Sequence, residues 1–171
     1  MTCNNQSILT KEKLPRNLIL AATEARKLTE IFANRHRNIG NPITLECYCA
    51  IGSYILWQVA RKKYEIKSLS FCCGYFKENP RHYDFDLYEN HCWTKYRNRY
   101  AVDITATQFS GIKEEVFVYE LGDSNTFYSE ISTGIAALSK VNDRWGNQGI
   151  RMHRKYLDNL LNQNLAFGEP R

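Results

Sequence analysis

The sequence predicts an α+β domain with helices at both ends and an antiparallel sheet between them. Two early segments repeat apolar residues at three- and four-residue steps, which is typical of amphipathic helices. The middle of the chain alternates apolar with polar or small residues, which is typical of strands. Because helices and strands are grouped and do not strictly alternate, the order favours an antiparallel sheet over a doubly wound parallel one.

The chain of 171 residues is expected to fold as one domain, 1–171. Its apolar fraction of 43% is that of a folded protein, and it contains no internal repeat, low-complexity tract or linker. No apolar run approaches the ~18 residues that a membrane span needs. We therefore expect no membrane partner.

The first predicted helix covers residues 14–38. Pro15 suits its first turn, and the Gly-Asn-Pro run at 40–42 ends it. Its Lys and Arg side chains are expected to form a solvated face, which gives the helix a supporting role. Its apolar positions are Leu18, Ala21, Ala22, Ala25, Leu28, Ile31 and Phe32.

The second predicted helix covers residues 49–63 and is apolar or small on two adjacent rows. A helix that is apolar on most of its circumference belongs in a core, so we expect it at the centre of the fold, packed on the sheet. Basic residues at 61–63 complement the negative end of the helix dipole, and Cys49 lies at the positive end. A thiol there is shifted toward the thiolate, and the free N–H groups of the first turn can stabilise an oxyanion.

A strand is predicted at residues 67–76, a surface loop at 77–89 and a β-hairpin within 90–109. With residues 96–98 as a three-residue loop, the hairpin pairs Lys95 with Arg99 and His91 with Asp103. The imidazole and the carboxylate would then lie side by side on one face. A further strand is expected at 115–121, followed by a turn at 122–125 and a short helix at 131–141. A last helix carries Ile150, His153, Leu157, Leu160, Leu161 and Asn164 and packs by its Leu face.

The formal net charge of +5 comes from basic residues that are scattered along the chain. This pattern predicts a weak bias toward acidic partners and no nucleic-acid partner. Residues 1–15 lack the apolar core of a secretory signal, so we expect a cytoplasmic protein, a location compatible with delivery into another cell as an effector. The sequence does not indicate whether the protein is a monomer or an oligomer.

The six cysteines are expected to be reduced, with structural, metal-binding or catalytic roles: Cys3, Cys47, Cys49, Cys72, Cys73 and Cys92. Their spacing matches no zinc pattern, although His82 and His91 could add ligands, and neither a metal nor a cofactor is predicted. Cys72 and Cys73 are expected inside the sheet.

Cys49, His91 and Asp103 form a candidate catalytic triad. The Cys49 thiolate would attack an amide carbonyl, His91 would carry the proton to the leaving nitrogen, and Asp103 would fix the tautomer. Taken one at a time, such residues are more often structural: Cys49 would be a core thiol, His91 a half-buried histidine and Asp103 a turn or capping acid. Their order and spacing together indicate a site.

Three segments resemble the transglutaminase-like branch of the papain-like cysteine protease superfamily. The run CAIGS at 49–53 is similar to the nucleophile segment, HCW at 91–93 to the His-x-Trp strand, and DITATQF at 103–109 to the Asp-x-Thr...Gln-Phe segment. The resemblance covers about residues 45–109. It implies a papain-like/transglutaminase-like core, with Cys49 as nucleophile, His91 as general base and then acid, and Asp103 orienting His91.

Several residues keep two interpretations. Cys47 is the nearest competitor for the nucleophile, although it precedes the helix that Cys49 opens. Gln108 is either an amide donor in the site or a turn residue, and Trp93 is either a core residue or a contact for the substrate. The second oxyanion donor is unassigned, because Asn41, Thr44 and Glu46 occupy the stretch where papain-like enzymes often place Gln.

The fate of the thioester decides the activity on a peptide or protein substrate. Water gives a peptidase or a glutamine deamidase, and an amine gives a transglutaminase-type acyltransferase. A non-catalytic binding module that retains the fold is a third interpretation.

Overall fold

The computed structural model describes residues 11–36, 48–77, 88–109, 111–122, 127–144 and 150–165. The helices in these ranges are α1 (Arg16–His36), α2 (Cys49–Lys62), α3 (Gly134–Arg144) and α4 (Ile150–Leu165). The strands are β1 (Leu69–Lys77), β2 (Tyr88–Tyr96), β3 (Tyr100–Asp103), β4 (Phe117–Glu120) and β5 (Tyr128–Thr133), and a 3-10 turn spans Ala106–Gln108.

All strand pairs are antiparallel, and the order across the sheet is β4-β3-β2-β1-β5. This arrangement confirms the predicted α+β class with an antiparallel sheet. The helix α2 contacts α1, α4 and the strands β1 and β2, which is the central place predicted for it. Its apolar rows are buried, with Ile55, Leu56 and Val59 each 0% exposed.

The sheet is apolar on both faces because alternate residues of each strand point to opposite sides. One face, here the helix face, packs with α1, α2 and α4 through Leu69, Phe71, Cys73, Cys92, Val102 and Val118. The other, here the aromatic face, carries Cys72, Phe76, Trp93, Phe117, Tyr119 and Tyr128.

The loop of the β2–β3 hairpin differs from the predicted one. Tyr96 pairs with Tyr100, so the loop is residues 97–99. Arg97 and Asn98 have φ angles of 49° and 55°, and the Arg99 N–H donates to the Tyr96 carbonyl at 3.0 Å. Two consecutive left-handed residues match the right-handed twist of the flanking strands, which explains why this loop is favoured.

The predicted pairing of Lys95 with Arg99 is therefore wrong, since Lys95 lies opposite Ala101. Continuing the observed register places Trp93, and not His91, opposite Asp103. The observed pairing is shifted by two residues from the predicted pairing, so every side chain keeps its predicted face of the sheet. His91 and Asp103 still share a face, but as diagonal neighbours, which lie within reach of long side chains.

The segment 131–133 was predicted as helix and is instead the end of β5, which pairs with β1. Gly134, with φ of 63°, separates this strand from α3. The strand was missed because it lies at the sheet edge, where Glu130 and Ile131 are exposed and the alternation of buried and exposed residues is weak. The predicted loop 77–89 is also shorter, since β1 runs to Lys77 and β2 starts at Tyr88.

Within the described ranges, the model contains no helix whose length and apolar character would let it cross a membrane.

Candidate active site

Cys49 is the first residue of α2 and is 2% exposed. The backbone turns into the helix at Tyr48, whose carbonyl accepts the first-turn hydrogen bond from the Gly52 N–H at 2.8 Å. No side-chain hydrogen bond caps the helix at Tyr48. The partial positive charge of the helix start therefore acts on the thiol of Cys49 without a competing cap.

His91 and Asp103 meet on the aromatic face. The imidazole Nε2 lies 2.5 Å from Asp103 Oδ2, and both side chains are fully buried. Because Asp103 occupies Nε2, Nδ1 is the ring nitrogen left for the thiol of Cys49, which is hydrogen-bonded to His91. The structure thus brings together the three residues that the sequence singled out.

Asp103 accepts further hydrogen bonds on both oxygens. Oδ1 accepts from the backbone N–H of Thr105 at 2.8 Å and from its hydroxyl at 2.9 Å. Oδ2 accepts from the Tyr128 hydroxyl at 3.0 Å. A buried carboxylate needs this number of donors to stay ionised.

The Tyr128 side chain reaches Asp103 across one face of the sheet. β5 and β3 are separated by β1 and β2, which places them about 14 Å apart at a strand spacing of about 4.8 Å. A β-bulge between Cys73 and Gly74 lies where β5 pairs with β1, and bulges increase local twist and bending. A Cβ at Gly74 would come 2.0 Å from the Ser129 carbonyl oxygen, so only glycine allows β5 this close.

The segment after Asp103 is fixed from two sides. Arg26 of α1 donates to the Ile104 carbonyl at 2.7 Å and to the Thr107 hydroxyl at 3.0 Å. On α2, a Cβ at Gly52 would lie 2.7 Å from the Thr105 methyl group. The absent side chain of Gly52 therefore lets the nucleophile helix contact the residue that positions Asp103.

The sulfur of Cys49 lies against β2. The hydrogen bond of the Cys92 thiol lowers the pKa of Cys49, and burial opposes the shift. The hydrogen bond and charge of His91 and a hydrogen bond from the Cys92 backbone add to the lowering and bring this pKa to about 5, from an ordinary 9.0. This shift favours the thiolate near neutral pH.

Burial alone would lower the pKa of His91, but the charge and hydrogen bond of Asp103 outweigh it. With a smaller contribution from Cys49, they raise the pKa of His91 to about 10. Burial likewise acts to raise the pKa of Asp103, but His91 and the donors of Thr105 hold it below its ordinary value. Each of these shifts favours the charged form of its group.

Gln108 lies in the 3-10 turn, and its Nε2 is 3.2 Å from His91 Nδ1. Its amide therefore lies at the ring nitrogen that faces the thiol. Trp93 is 0% exposed and packs on Tyr128, with ring centroids 4.9 Å apart, and its indole nitrogen has no hydrogen-bond partner among the described residues. It belongs to the core of the aromatic face.

The site is closed, since Cys49, His91 and Asp103 are 2%, 0% and 1% exposed. A surface hollow of about 790 Å³ lies at the other end of α2, lined by basic side chains such as Arg61 and Arg97. Because it lies beyond the helix C-terminus, it cannot serve the thiol of Cys49.

Some predicted residues fall outside the described ranges, namely Cys47, His82, Asn41, Thr44 and Glu46. Within those ranges, no group of three or more His, Cys, Asp or Glu side chains is placed to hold a metal ion. Cys72 and Cys73 are buried in the sheet, as predicted.

Sequence reasoning missed four residues around the site. Tyr128 and Cys92 join it only through strand pairing, and Arg26 was assigned to a solvated face although its side chain is 11% exposed. Thr105 had a local signal, because an Asp two residues before a Thr is typical of an Asx-type turn.

No family model, curated protein or solved structure matches this chain. A buried thiol with a lowered pKa beside an imidazole with a raised pKa, with an amide and a helix N-terminus close by, can attack an electrophilic carbonyl and stabilise the resulting oxyanion.

Proposed function

We propose that this protein is a cysteine-dependent amide hydrolase with a papain-like/transglutaminase-like core, acting on a peptide or protein. The observation that carries the proposal is the buried hydrogen-bonded sequence Cys49, His91, Asp103. A structural thiol gains nothing from ionisation, whereas a nucleophile requires it.

In the first step the Cys49 sulfur attacks the amide carbonyl carbon, and the carbonyl oxygen becomes an oxyanion. The first-turn N–H groups of α2 and the Gln108 amide are the donors that face this charge. His91 gives its Nδ1 proton to the leaving nitrogen, and the C–N bond breaks to leave a thioester. His91 then takes a proton from water, which hydrolyses the thioester and frees the thiol.

The carboxylate of Asp103 holds Nε2–H throughout, so Nδ1 is always the nitrogen that exchanges protons with substrate and water. Because the thiol is 2% exposed, a carbonyl carbon reaches it only after a rearrangement that opens the site. Substrate binding is therefore coupled to opening.

Alkylation by iodoacetamide at pH 6 tests the nucleophile before any substrate is known. Cys72 is the matched control, because it is equally buried but burial raises its pKa to about 12. We expect Cys49 to label at least about 100-fold faster than Cys72, since only a thiolate reacts appreciably at this pH. Equal labelling rates would contradict the proposal and favour a binding module.

Intact-mass analysis of candidate substrate proteins then identifies the reaction. Deamidation adds about 1 Da, proteolysis splits the chain, and transfer to an amine adds the mass of that amine. Cys49→Ala should abolish each of these changes while the protein stays folded. Turnover that survives in Cys49→Ala would show that another residue is the nucleophile.

A further inference from the structure

Cys92 has no part in the proposed hydrolysis, yet its thiol lies next to the nucleophile. It is the residue after His91 on β2, and strand alternation turns it to the helix face, where it is 0% exposed. Its side chain is hydrogen-bonded to the sulfur of Cys49, and its backbone also bonds to that sulfur. The two thiols are thus neighbours in the core, where α2 packs on β2.

We propose that Cys49 and Cys92 are a redox modification site, at which a hydroperoxide converts the two thiols into a reversible disulfide that blocks the nucleophile. The consequence for activity rests on the proposed function, whereas the disulfide itself does not.

The chemistry balances with hydrogen peroxide as the oxidant. The Cys49 thiolate attacks one peroxide oxygen, the O–O bond breaks, and the leaving hydroxide takes the imidazolium proton of His91 to become water. The sulfur is now a sulfenic acid. The Cys92 sulfur then attacks it, an S–S bond forms, the S–O bond breaks, and the departing hydroxide combines with the Cys92 proton to give a second water.

The two thiols have unequal roles. Cys49 is the thiolate and reacts first, whereas burial and the hydrogen bond to Cys49 raise the pKa of Cys92 well above its ordinary value. Cys92 is therefore a poor target for peroxide, but it becomes the nearest nucleophile once Cys49 is a sulfenic acid. Cys49 therefore has the properties of a reactive cysteine and Cys92 those of a resolving cysteine.

Cys73 is the main competitor, because it lies directly opposite Cys92 across β1 and β2. A bond between these two would leave Cys49 free. Cys72 points to the aromatic face, where it contacts Glu130 and Thr133, so it cannot reach either sulfur of the pair.

Disulfide mapping tests the pairing in the full-length protein. The reduced protein is treated with hydrogen peroxide at about equal concentration, blocked with N-ethylmaleimide in denaturant, and digested without reductant. We expect a mass loss of about 2 Da before blocking and, after digestion, a single crosslinked pair of peptides containing Cys49 and Cys92. A crosslink of Cys92 to Cys73, or of Cys49 to Cys3 or Cys47, would overturn the proposal, as would a stable sulfenic acid without a crosslink.

Cys92→Ser supplies the matched variant, since it keeps a hydroxyl donor beside Cys49 but has no sulfur. After treatment of wild type and variant with at least about three equivalents of peroxide, Cys49 in this variant should gain about 32 or 48 Da as sulfinic or sulfonic acid, since these products consume two or three peroxides per thiol. The fraction of Cys49 that dithiothreitol returns to an alkylatable thiol should fall at least about fivefold below wild type. Equal recovery in wild type and variant would refute a resolving role for Cys92.

Both readouts are independent of substrate. If dithiothreitol restores Cys49 alkylation but no hydrolytic turnover is found, the disulfide proposal is supported and only the proposed hydrolase activity is contradicted. Turnover that is unaffected by a fully formed Cys49–Cys92 crosslink would instead refute Cys49 as the nucleophile.

Discussion

Replacing Asp103 by Asn tests the site most directly, because the structure fixes how an amide would sit there. Oδ1 accepts two hydrogen bonds from Thr105, so the amide oxygen must take that place. The NH2 group then replaces Oδ2 and faces Nε2 of His91. A donor cannot accept the Nε2 proton, so the imidazole becomes neutral with its proton on Nδ1.

The expected loss of turnover in Asp103→Asn follows from the fraction of Cys49 that is ionised. Without the imidazolium, the pKa of Cys49 rises from about 5, because the hydrogen bond and charge of His91 are lost while the hydrogen bonds from Cys92 remain. The thiolate fraction at pH 7 falls as this pKa rises. With the wrong tautomer of His91 added, we expect turnover to fall by about 10² to 10³, equivalent to about 2.7–4.1 kcal/mol of activation free energy.

The assay is the rate of Cys49 alkylation as a function of pH, measured with the free energy of unfolding in urea. Asp103→Asn should move the midpoint of the alkylation profile upward from about 5, because the imidazolium that helps to stabilise the thiolate is lost. The unfolding free energy should fall by only about 1–3 kcal/mol, the usual contribution of a hydrogen bond to a charged group.

Tyr128→Phe is the matched control. It removes one donor to Asp103 but leaves the carboxylate as an acceptor, so the rate should fall by less than about tenfold. Cys72 alkylation reports whether either variant simply opens the fold. An Asp103→Asn profile that superimposes on the wild-type profile would refute the argument and leave Asp103 as a turn residue.

Three further predictions concern packing, the oxyanion and pH. Gly52→Ala should lower the unfolding free energy in a urea titration by about 1–3 kcal/mol, because its Cβ would lie 2.7 Å from the Thr105 methyl group. Gly122→Ala is the control and should be neutral, because nothing lies within 4 Å of the Cβ position there. Gln108→Ala should reduce kcat by about 10- to 100-fold without shifting the alkylation profile of Cys49 as far as Asp103→Asn does, and unchanged kcat would remove Gln108 from the oxyanion site. The pair of Cys49 and His91 should stabilise the fold most between pH 6.5 and 9.0, the ordinary pKa values of the two groups. The contribution of His91 is lost as pH rises from 6.5 through its folded pKa of about 10. The contribution of Cys49 is lost as pH falls from 9.0 through its folded pKa of about 5. The difference in unfolding free energy between wild type and a Cys49→Ala, His91→Ala double variant should show this plateau, and a difference that rises steadily across it would be inconsistent with the ion pair.

The sequence predicted those parts of the fold that repeat a regular pattern. The helix at 49–63 agrees with α2 to within one residue, because its apolar rows follow the helical period without interruption. The faces of His91 and Asp103 were predicted although the loop was not, since face depends on parity and loop position depends on backbone dihedrals at Arg97 and Asn98.

The residues that could not be predicted act across long distances in the chain. Tyr128 reaches Asp103 only because β5 pairs with β1 in the folded sheet, and no local pattern encodes that pairing. Arg26 looks like one of several surface cations until its carbonyl partner at Ile104 is known. Tertiary contacts of this kind decide the roles of single polar residues, whereas periodicity decides only which elements form.

The hydrogen bond from Tyr128 has a consequence for the order in which the site matures during synthesis. A ribosome releases Cys49, His91 and Asp103 well before it releases the strand β5 that carries Tyr128. Until β5 docks beside β1, the carboxylate lacks one of its donors and the sheet lacks its edge strand. Contacts between distant segments also form late in folding. A nascent chain therefore holds every reactive group of the proposed hydrolase before it holds the support that positions them, and a chain truncated before β5 would keep the thiol without the complete site.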